Sequence, residues 1–182
     1  MTTTRAVAIN LSNAAAQVVN AGLTLTLSSA TTLENVIGGS LADTLIGNTL
    51  ANSLTGNSGD DALTGGSDED LLIGAAYTLE GDATALAKLR SEWTSGSTYA
   101  NRMAHLLGTL AGGLNGTTVL TSTTVKEDAA KETLTGGSGK DWYLRNSLGA
   151  TVANRDTVTD AVGSVFTEIN AWETGRGPLL TG

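Results

Sequence analysis

Residues 38–73 read GGSLADTLI GNTLANSLT GNSGDDALT GGSDEDLLI, which is four nonapeptides in tandem. Each copy begins with glycine and has leucine at its eighth place. The sixth places hold Asp43, Asn52, Asp61 and Asp70. A fixed short period indicates stacked copies of one structural unit. Nine residues suffice only for a short strand and a tight turn, so two nonapeptides are predicted to form one 18-residue coil.

An apolar column extends this period beyond the four copies. Every ninth residue from Ile9 to Leu72 is apolar: Ile9, Val18, Leu27, Val36, Leu45, Leu54, Leu63 and Leu72. The column restarts in a shifted phase at Val125, Leu134, Tyr143 and Val152, with a fifth nonapeptide, GGSGKDWYL, at 136–144. Aromatic residues make up only 4% of the chain, too few for an ordinary globular core. The pattern predicts an all-β-dominated fold, a parallel β-roll or β-solenoid.

A helical hairpin is predicted to interrupt the solenoid. Leu79, Leu86, Leu89 and Trp93 follow helical spacing after Asp82, a candidate N-cap. A second helical set, which Gly112-Gly113 would end, comprises Tyr99, Met103, Leu106 and Leu110. Strand character is expected again at 117–125, and residues 161–172 fit a short helix or a strand. The expected organisation is N-terminal solenoid coils at 1–37, a repeat β-roll at 38–76, a helical insertion at 77–113, a resumed β-roll at 114–152 and a tail at 153–182.

The charge of the chain favours a cation as its partner. Ten Lys and Arg residues against 18 Asp and Glu give a net charge of −8, which argues against nucleic acid. There is no cysteine, and no apolar run is long enough to span a membrane. The start of the sequence shows no secretory signal pattern.

Stacking explains why a cation is needed. Successive coils lie about 4.8 Å apart, so Asp43 is expected over Asp61 and Asn52 over Asp70. Two carboxylates about 5 Å apart repel by roughly 3 kcal/mol at an effective dielectric near 20. Ca²⁺ suits this gap because it accepts six to eight oxygen ligands in flexible geometry. The alternative is that the turns are metal-free and that Asp caps them through hydrogen bonds to the backbone.

These motifs resemble the RTX (repeats-in-toxin) calcium-binding nonapeptide, G-G-x-G-x-D-x-apolar-x. The wider likeness to C-terminal regions of large bacterial extracellular proteins includes ENVIGGS at 34–40, SEWTSGSTYANRMAHL at 91–106, LNGTTVL at 114–120 and LTGGSGKDW at 134–142. The resemblance implies a right-handed parallel β-roll, Ca²⁺ between stacked turns and export by a type I route.

The resemblance also implies the ligands, which are the carbonyls of the first and third residues and the carboxylate of the sixth. Carried over, they are Gly38, Ser40 and Asp43; Gly56, Ser58 and Asp61; Gly65, Ser67 and Asp70; and Gly136, Ser138 and Asp141. Asn52 stands in a ligand position but supplies only an uncharged oxygen. Other departures are Leu41, Leu50 and Asp68 at the fourth place and Asn48 and Asn57 at the second. Between one and three good sites are therefore expected, with Asp43/Asp61 and Asp70 the best placed.

Catalysis has little support in the sequence. His105 is the sole histidine, and no nucleophile elbow or phosphate-binding loop is present. The expected function is that of a non-enzymatic, extracellular Ca²⁺-binding β-roll with a structural role, which could self-assemble head to tail into a homopolymer. The alternatives are a secretion or carrier module of a larger exported protein, and a polysaccharide- or ice-binding module that uses the Thr-rich segments 24–32 and 117–124.

Overall fold

The computed structural model describes residues 5–146, 152–160, 165–168 and 180–181. The chain forms two compact units, Met1–Ala76 with Glu127–Gly182, and Tyr77–Lys126. The first is built from strands. The second contains both helices of the described chain. The prediction of a sheet-dominated fold with parallel sheets is therefore confirmed.

Two large sheets make up most of the first unit, and the strands between residues 35 and 73, and again those between residues 133 and 168, alternate between them along the chain. The first sheet has the order β1-β5-β7-β11-β13, with strands Ala8–Asn10, Thr44–Ile46, Ala62–Ser67, Thr133–Ser138 and Thr157–Asp160, all parallel. The second has the order β15-β14-β12-β8-β6-β4, with strands Leu180–Thr181, Val165–Glu168, Trp142–Arg145, Leu71–Ile73, Ser53–Thr55 and Asn35–Ile37. Only the β14–β15 pair is antiparallel in this second sheet.

The register within the repeats is the predicted 18 residues. Leu45 pairs with Leu63 in the first sheet, and Leu54 pairs with Leu72 in the second. These eighth-place leucines are at most 1% exposed and meet in one core. Among the described residues, the buried members of this core cluster are Leu11, Leu27, Val36, Leu45, Leu54, Leu63, Leu72, Leu134 and Tyr143. The alternation between two sheets thus turns the nine-residue column into a single apolar core.

The predicted column is wrong at its N-terminal end. Strands β2 (Gln17–Asn20) and β3 (Leu23–Leu25) form an antiparallel hairpin, because the chain reverses at Gly22, whose N–H donates to Asn20 Oδ1 at 2.9 Å. Alternation along β2 then buries Val19 and leaves Val18 71% exposed. Ile9 pairs directly with Leu45, 36 residues away rather than 18.

The resumed column is half right. Leu134 pairs with Leu63 and Tyr143 with Leu72, so both stack as predicted and the fifth nonapeptide is in register. Val125 instead lies in β10 (Val125–Lys126), which pairs with β9 (Ala76–Tyr77). Val152 lies in a short 3-10 helix, Val152–Asn154, and the residue that pairs with Leu134 is Val158. Six additional residues between these coils shift the spacing from 18 to 24.

The second unit contains the two predicted helices. Helix α1 spans Ala83–Trp93 with Asp82 as its N-cap, as expected, and α2 spans Tyr99–Leu106 after the N-cap Thr98. Helix α2 ends before Leu110, because Gly108 at φ 71° closes it in a Schellman motif. Segments 26–32 and 117–124 form no strands, so the predicted β character of 117–125 is wrong except at Val125.

A buried polar network lies between the helices. Glu92 accepts a hydrogen bond from Leu114 N and contacts His105 Nδ1, both at 2.6 Å. The guanidinium of Arg102 donates to Trp93 O and lies 5.1 Å from the Trp93 ring centroid. These contacts hold the His105 side chain against Glu92 between the two helices. For the tail, a strand occupies 165–168, and the rest of 161–172 lies outside the described residues.

Candidate metal centre

The sixth-place residues form two ladders, because each lies directly before a strand that pairs with the next coil. The first ladder, before the strands of the first sheet, comprises Val7, Asp43, Asp61, Glu132 and Asp156. The second, before the strands of the second sheet, comprises Glu34, Asn52, Asp70 and Asp141. Asp43 thus stacks on Asp61 and Asn52 on Asp70, as the spacing predicted.

Side chain to backbone hydrogen bonds run along both ladders. Asp43 N donates to Asp61 Oδ1 and Asn52 N donates to Asp70 Oδ1, each at 2.7 Å. Asp70 N continues the second ladder by donating to Asp141 Oδ1 at 2.9 Å. Each acid therefore orients the turn of the preceding coil with one oxygen, which leaves its second oxygen to be accounted for.

In the first two turns, the side chain of the sixth-place residue accepts a hydrogen bond from the backbone of the same turn. Asp43 Oδ2 accepts from Gly39 N, and Asn52 Oδ1 accepts from Asn48 N at 2.7 Å. This is the backbone capping that the metal-free alternative describes. Asp43 and Asn52 therefore have their hydrogen-bonding capacity largely used inside the protein.

Asp61 and Asp70 are different. Both are buried, at 2% and 0% exposure, and Oδ2 of each has no hydrogen-bond partner. The second-place residues of their turns, Asn57 and Gly66, have positive φ values of 78° and 119°, unlike Gly39 in the first turn. Their backbone N–H groups therefore do not cap the acid as Gly39 does. Each turn presents one buried, unsatisfied carboxylate oxygen.

The electrostatics of these two acids favour neutralisation. Burial raises the pKa of the Asp61 carboxyl to about 7, and the nearby carboxylates Asp43 and Asp128 add to this effect. Burial likewise raises the pKa of Asp70 to about 8, with a further contribution from Asp141. The pKa of Asp141 is also raised, mainly by burial. Such groups need either a proton or a cation when the protein is folded.

The first-place glycines lie so close to oxygen atoms of the turns that a side chain at these positions would clash with them. A Cβ at Gly65 would overlap Asp70 Oδ2 and lie 2.7 Å from Gly136 O of the next coil. A Cβ at Gly38 would lie 2.5 Å from Asp43 Oδ2. A backbone carbonyl oxygen and a carboxylate oxygen thus converge beside Gly38 and beside Gly65. This donor set suits Ca²⁺, which binds carboxylates and backbone carbonyls.

The third-place serines hold adjacent turns together through their backbones. Ser58 N donates to Gly39 O at 3.3 Å, and Ser67 N donates to Asn48 O at 3.1 Å. Ser67 also pairs with Ser138 in the strand register, while Ser40 is exposed. Their ligand roles, like that of Gly56, stay predictions.

The fifth nonapeptide has a different partner. Gly136 N and Gly137 N donate to the two carboxylate oxygens of Asp160, at 2.8 and 2.7 Å. Tyr143 Oη donates to Asp160 O at 2.8 Å. Asp160, which the nine-residue pattern does not indicate, therefore caps the turn that Asp141 closes.

Two further members of the first ladder, Glu132 and Asp156, were also missed. Their signal is present in the sequence, because ETLT at 132–135 and DTVT at 156–159 resemble DTLI at 43–46. An acid two residues before an apolar column position identifies the sixth place even without the glycines. Among the residues that the structure describes, no three His, Cys, Asp or Glu side chains group as a metal site by themselves, so other oxygens, from the backbone, amide side chains or water, must complete any Ca²⁺ site.

Comparison with protein families identifies the repeat. Residues 37–72 match the model of the RTX calcium-binding nonapeptide repeat in four copies. This segment therefore belongs to the RTX repeat family, whose nonapeptides bind calcium ions and are typical of secreted bacterial proteins. Neither a curated protein nor a solved structure matched the chain. Within the described ranges, no helix is both long and apolar enough for a membrane span.

Proposed function

We propose that this protein is an extracellular Ca²⁺-binding β-roll with a structural rather than a catalytic role. The observation that carries the proposal is the pair of buried, unpartnered oxygens on Asp61 and Asp70. Ca²⁺ bound between adjacent turns would satisfy these oxygens and balance the carboxylates stacked beside them. The repeat strands, which pair in parallel in both sheets around one apolar core cluster, support a roll that winds through both sheets.

An extracellular location is consistent with this chemistry. Calcium modules outside the cell bind with Kd of about 10⁻⁴ to 10⁻³ M, whereas cytosolic sensors bind much more tightly. Turns completed by backbone carbonyls, with one carboxylate each, fit the weaker class. The ion would then hold the fold together only where calcium is abundant.

Calorimetric titration of the full chain with CaCl₂ tests the proposal. We expect binding in the submillimolar to millimolar range, together with a gain of β-sheet circular dichroism, because site formation and folding are coupled. Magnesium at the same concentration serves as the control. A chain that has the same spectrum in chelator and in millimolar calcium, and that shows no binding heat, would contradict it.

Head-to-tail assembly is the second function we propose, on the basis of the sheet edges. Among the described residues, no strand pairs with the outer edge of β4. The outer edge of β1 is blocked, because Gln17 accepts from Asn10 N at 2.8 Å and donates to Asn10 O at 2.9 Å. An open parallel edge such as β4 can pair with a second copy.

Negative-stain microscopy and sedimentation velocity in calcium and in chelator test this assembly. Calcium should produce filaments or large oligomers, and Asn35→Lys, at the exposed position of β4, should reduce them if the edge of β4 carries the contact. Monomers in both conditions would rule out self-assembly and would leave the calcium proposal intact.

A further inference from the structure

Asp156 and two other buried polar residues, Glu132 and Asn146, form a cluster outside the matched repeats. Glu132 precedes β11, Asn146 follows β12 and Asp156 precedes β13. Asp156 Oδ1 accepts from Glu132 N at 3.1 Å, and Asp156 Oδ2 accepts from Asn146 N at 2.6 Å. The three residues are 1%, 2% and 7% exposed, in the order Glu132, Asn146, Asp156. One carboxylate therefore joins the start of one strand to the end of another.

This cluster contains two unsatisfied oxygens. Glu132 Oε1 and Asn146 Oδ1 are both buried and have no hydrogen-bond partner. Most buried polar atoms in proteins do have one, so each such atom calls for an explanation. Two acceptor oxygens without donors, beside a third residue that is a carboxylate, point to a missing positive charge rather than to a missing acceptor.

The ionisable groups around Glu132 also favour a positively charged ligand, because they are acidic. Burial raises the pKa of Glu132, and so does the hydrogen bond between its carboxyl and that of Asp156. The other groups that raise this pKa are Asp128 and Asp61, which are also acidic. The pKa of Asp156 is raised too, chiefly by burial. The negative potential here comes from several chain segments.

We propose that Glu132, Asn146 and Asp156 form an additional Ca²⁺ site. The inference rests on the proposed function, because it assumes a protein that uses calcium to join its coils. Two carboxylates and an amide carbonyl are calcium ligands, and backbone carbonyls or water would complete the coordination. Zinc is disfavoured because the cluster offers neither histidine nor cysteine. This site would join strands that follow the helical unit, at turns that lack the glycine-rich motif of the fifth nonapeptide.

Calorimetric CaCl₂ titration of full-length variants tests the inference. We expect Glu132→Gln to lose one calcium ion per chain relative to the unmodified protein. The matched control Glu80→Gln, at an exposed position, should bind as the unmodified protein does. Asp70→Asn serves as the repeat reference, and its loss should add to that of Glu132→Gln because the two positions lie on different ladders.

The outcomes separate the two proposals. If the unmodified protein binds no calcium, both fail. If Asp70→Asn loses calcium while Glu132→Gln keeps the same number and affinity, only the additional site is overturned. A higher melting temperature of Glu132→Gln in chelator, with unchanged calcium binding, would identify the acids as a proton-sharing pair and would also overturn the site.

A second variant covers the case in which Glu132→Gln fails to fold. Asn146→Asp adds a charged ligand at a buried position. At a calcium site it should tighten binding, because affinity rises with the number of charged ligands. It should also make the melting temperature more dependent on calcium. Destabilisation that calcium does not reverse would contradict the site.

Discussion

Asp70 and Asp141 are neighbours in the second ladder although 71 residues separate them: the backbone N–H of Asp70 donates to Oδ1 of Asp141 at 2.9 Å. Within the uninterrupted repeats the corresponding spacing is 18, as between Asn52 and Asp70. The difference of 71 and 18 is 53, which is the number of additional residues between these coils. The insertion therefore leaves the ladder continuous.

The insertion occupies one turn of the repeat. Gly74 follows β8 as a first-place residue, and a Cβ there would lie 3.0 Å from Glu132 Cγ, as first-place glycines lie close to sixth-place acids elsewhere. Glu132 precedes β11 as a sixth-place residue. In a simple nonapeptide, four residues separate the first-place glycine from the sixth-place acid. Here residues 75–131 separate Gly74 from Glu132. Because turns lie at the surface, they tolerate such insertions without loss of the strand register.

The first prediction concerns the two sixth-place residues of one stack. Asp70→Ala should weaken calcium binding at least tenfold, because it removes a buried carboxylate with an unpartnered oxygen. Asn52→Ala should weaken it far less, because Asn52 caps its own turn through Asn48 N. Calorimetric titration of both variants measures the difference. Equal losses of affinity would show that both positions act only through the structure of the turn.

The nine-residue period was sufficient to predict the Asp43–Asp61 stack, because a fixed period and a strand–turn unit allow only one register. It was not sufficient at Val18. There the Asn20–Gly22 reversal competes with the column, and local hairpin pairing prevails. Nor does a period contain information on pairing across an insertion of unknown length. Only their spacing indicates that Glu132 and Asp156 occupy sixth places, because each lies two residues before an apolar core position, Leu134 or Val158.

The second prediction uses this correction of the column. Leu63→Ala should lower the free energy of unfolding by about 2 to 5 kcal/mol, since Leu63 is 1% exposed in the core. Val18→Ala should change it by less than about 0.5 kcal/mol, because Val18 is 71% exposed. Urea unfolding in calcium measures both. A large effect at Val18 would mean that this residue is buried in a coil, as the uninterrupted column first suggested.

The third prediction concerns the first-place glycines. Gly65→Ala should abolish calcium binding at its turn, because the added methyl group would occupy the space beside Asp70 Oδ2 and Gly136 O. Gly81→Ala is the matched control, because nothing lies within 4 Å of a Cβ there. Titration and thermal unfolding of both variants should separate them clearly. If Gly65→Ala bound calcium normally, the convergence of oxygens at this turn would have no bearing on the ion.

The fourth prediction is a pH dependence that calcium reverses. Folding raises the pKa of Asp61 to about 7 and that of Asp70 to about 8, from an ordinary value of 3.8. The calcium-free fold therefore binds more protons than the unfolded chain, so its stability is greatest below pH 4 with respect to these groups and falls as pH rises to about 8. Calcium needs the ionised carboxylates, so its affinity should rise over the same interval.

Melting temperatures in chelator should fall from pH 5 to pH 8, while those in calcium should not. Asp70→Asn should flatten the slope in chelator. A melting temperature in chelator that rises over this interval, or a slope that Asp70→Asn leaves unchanged, would show that these acids are not held unpaired in the calcium-free fold.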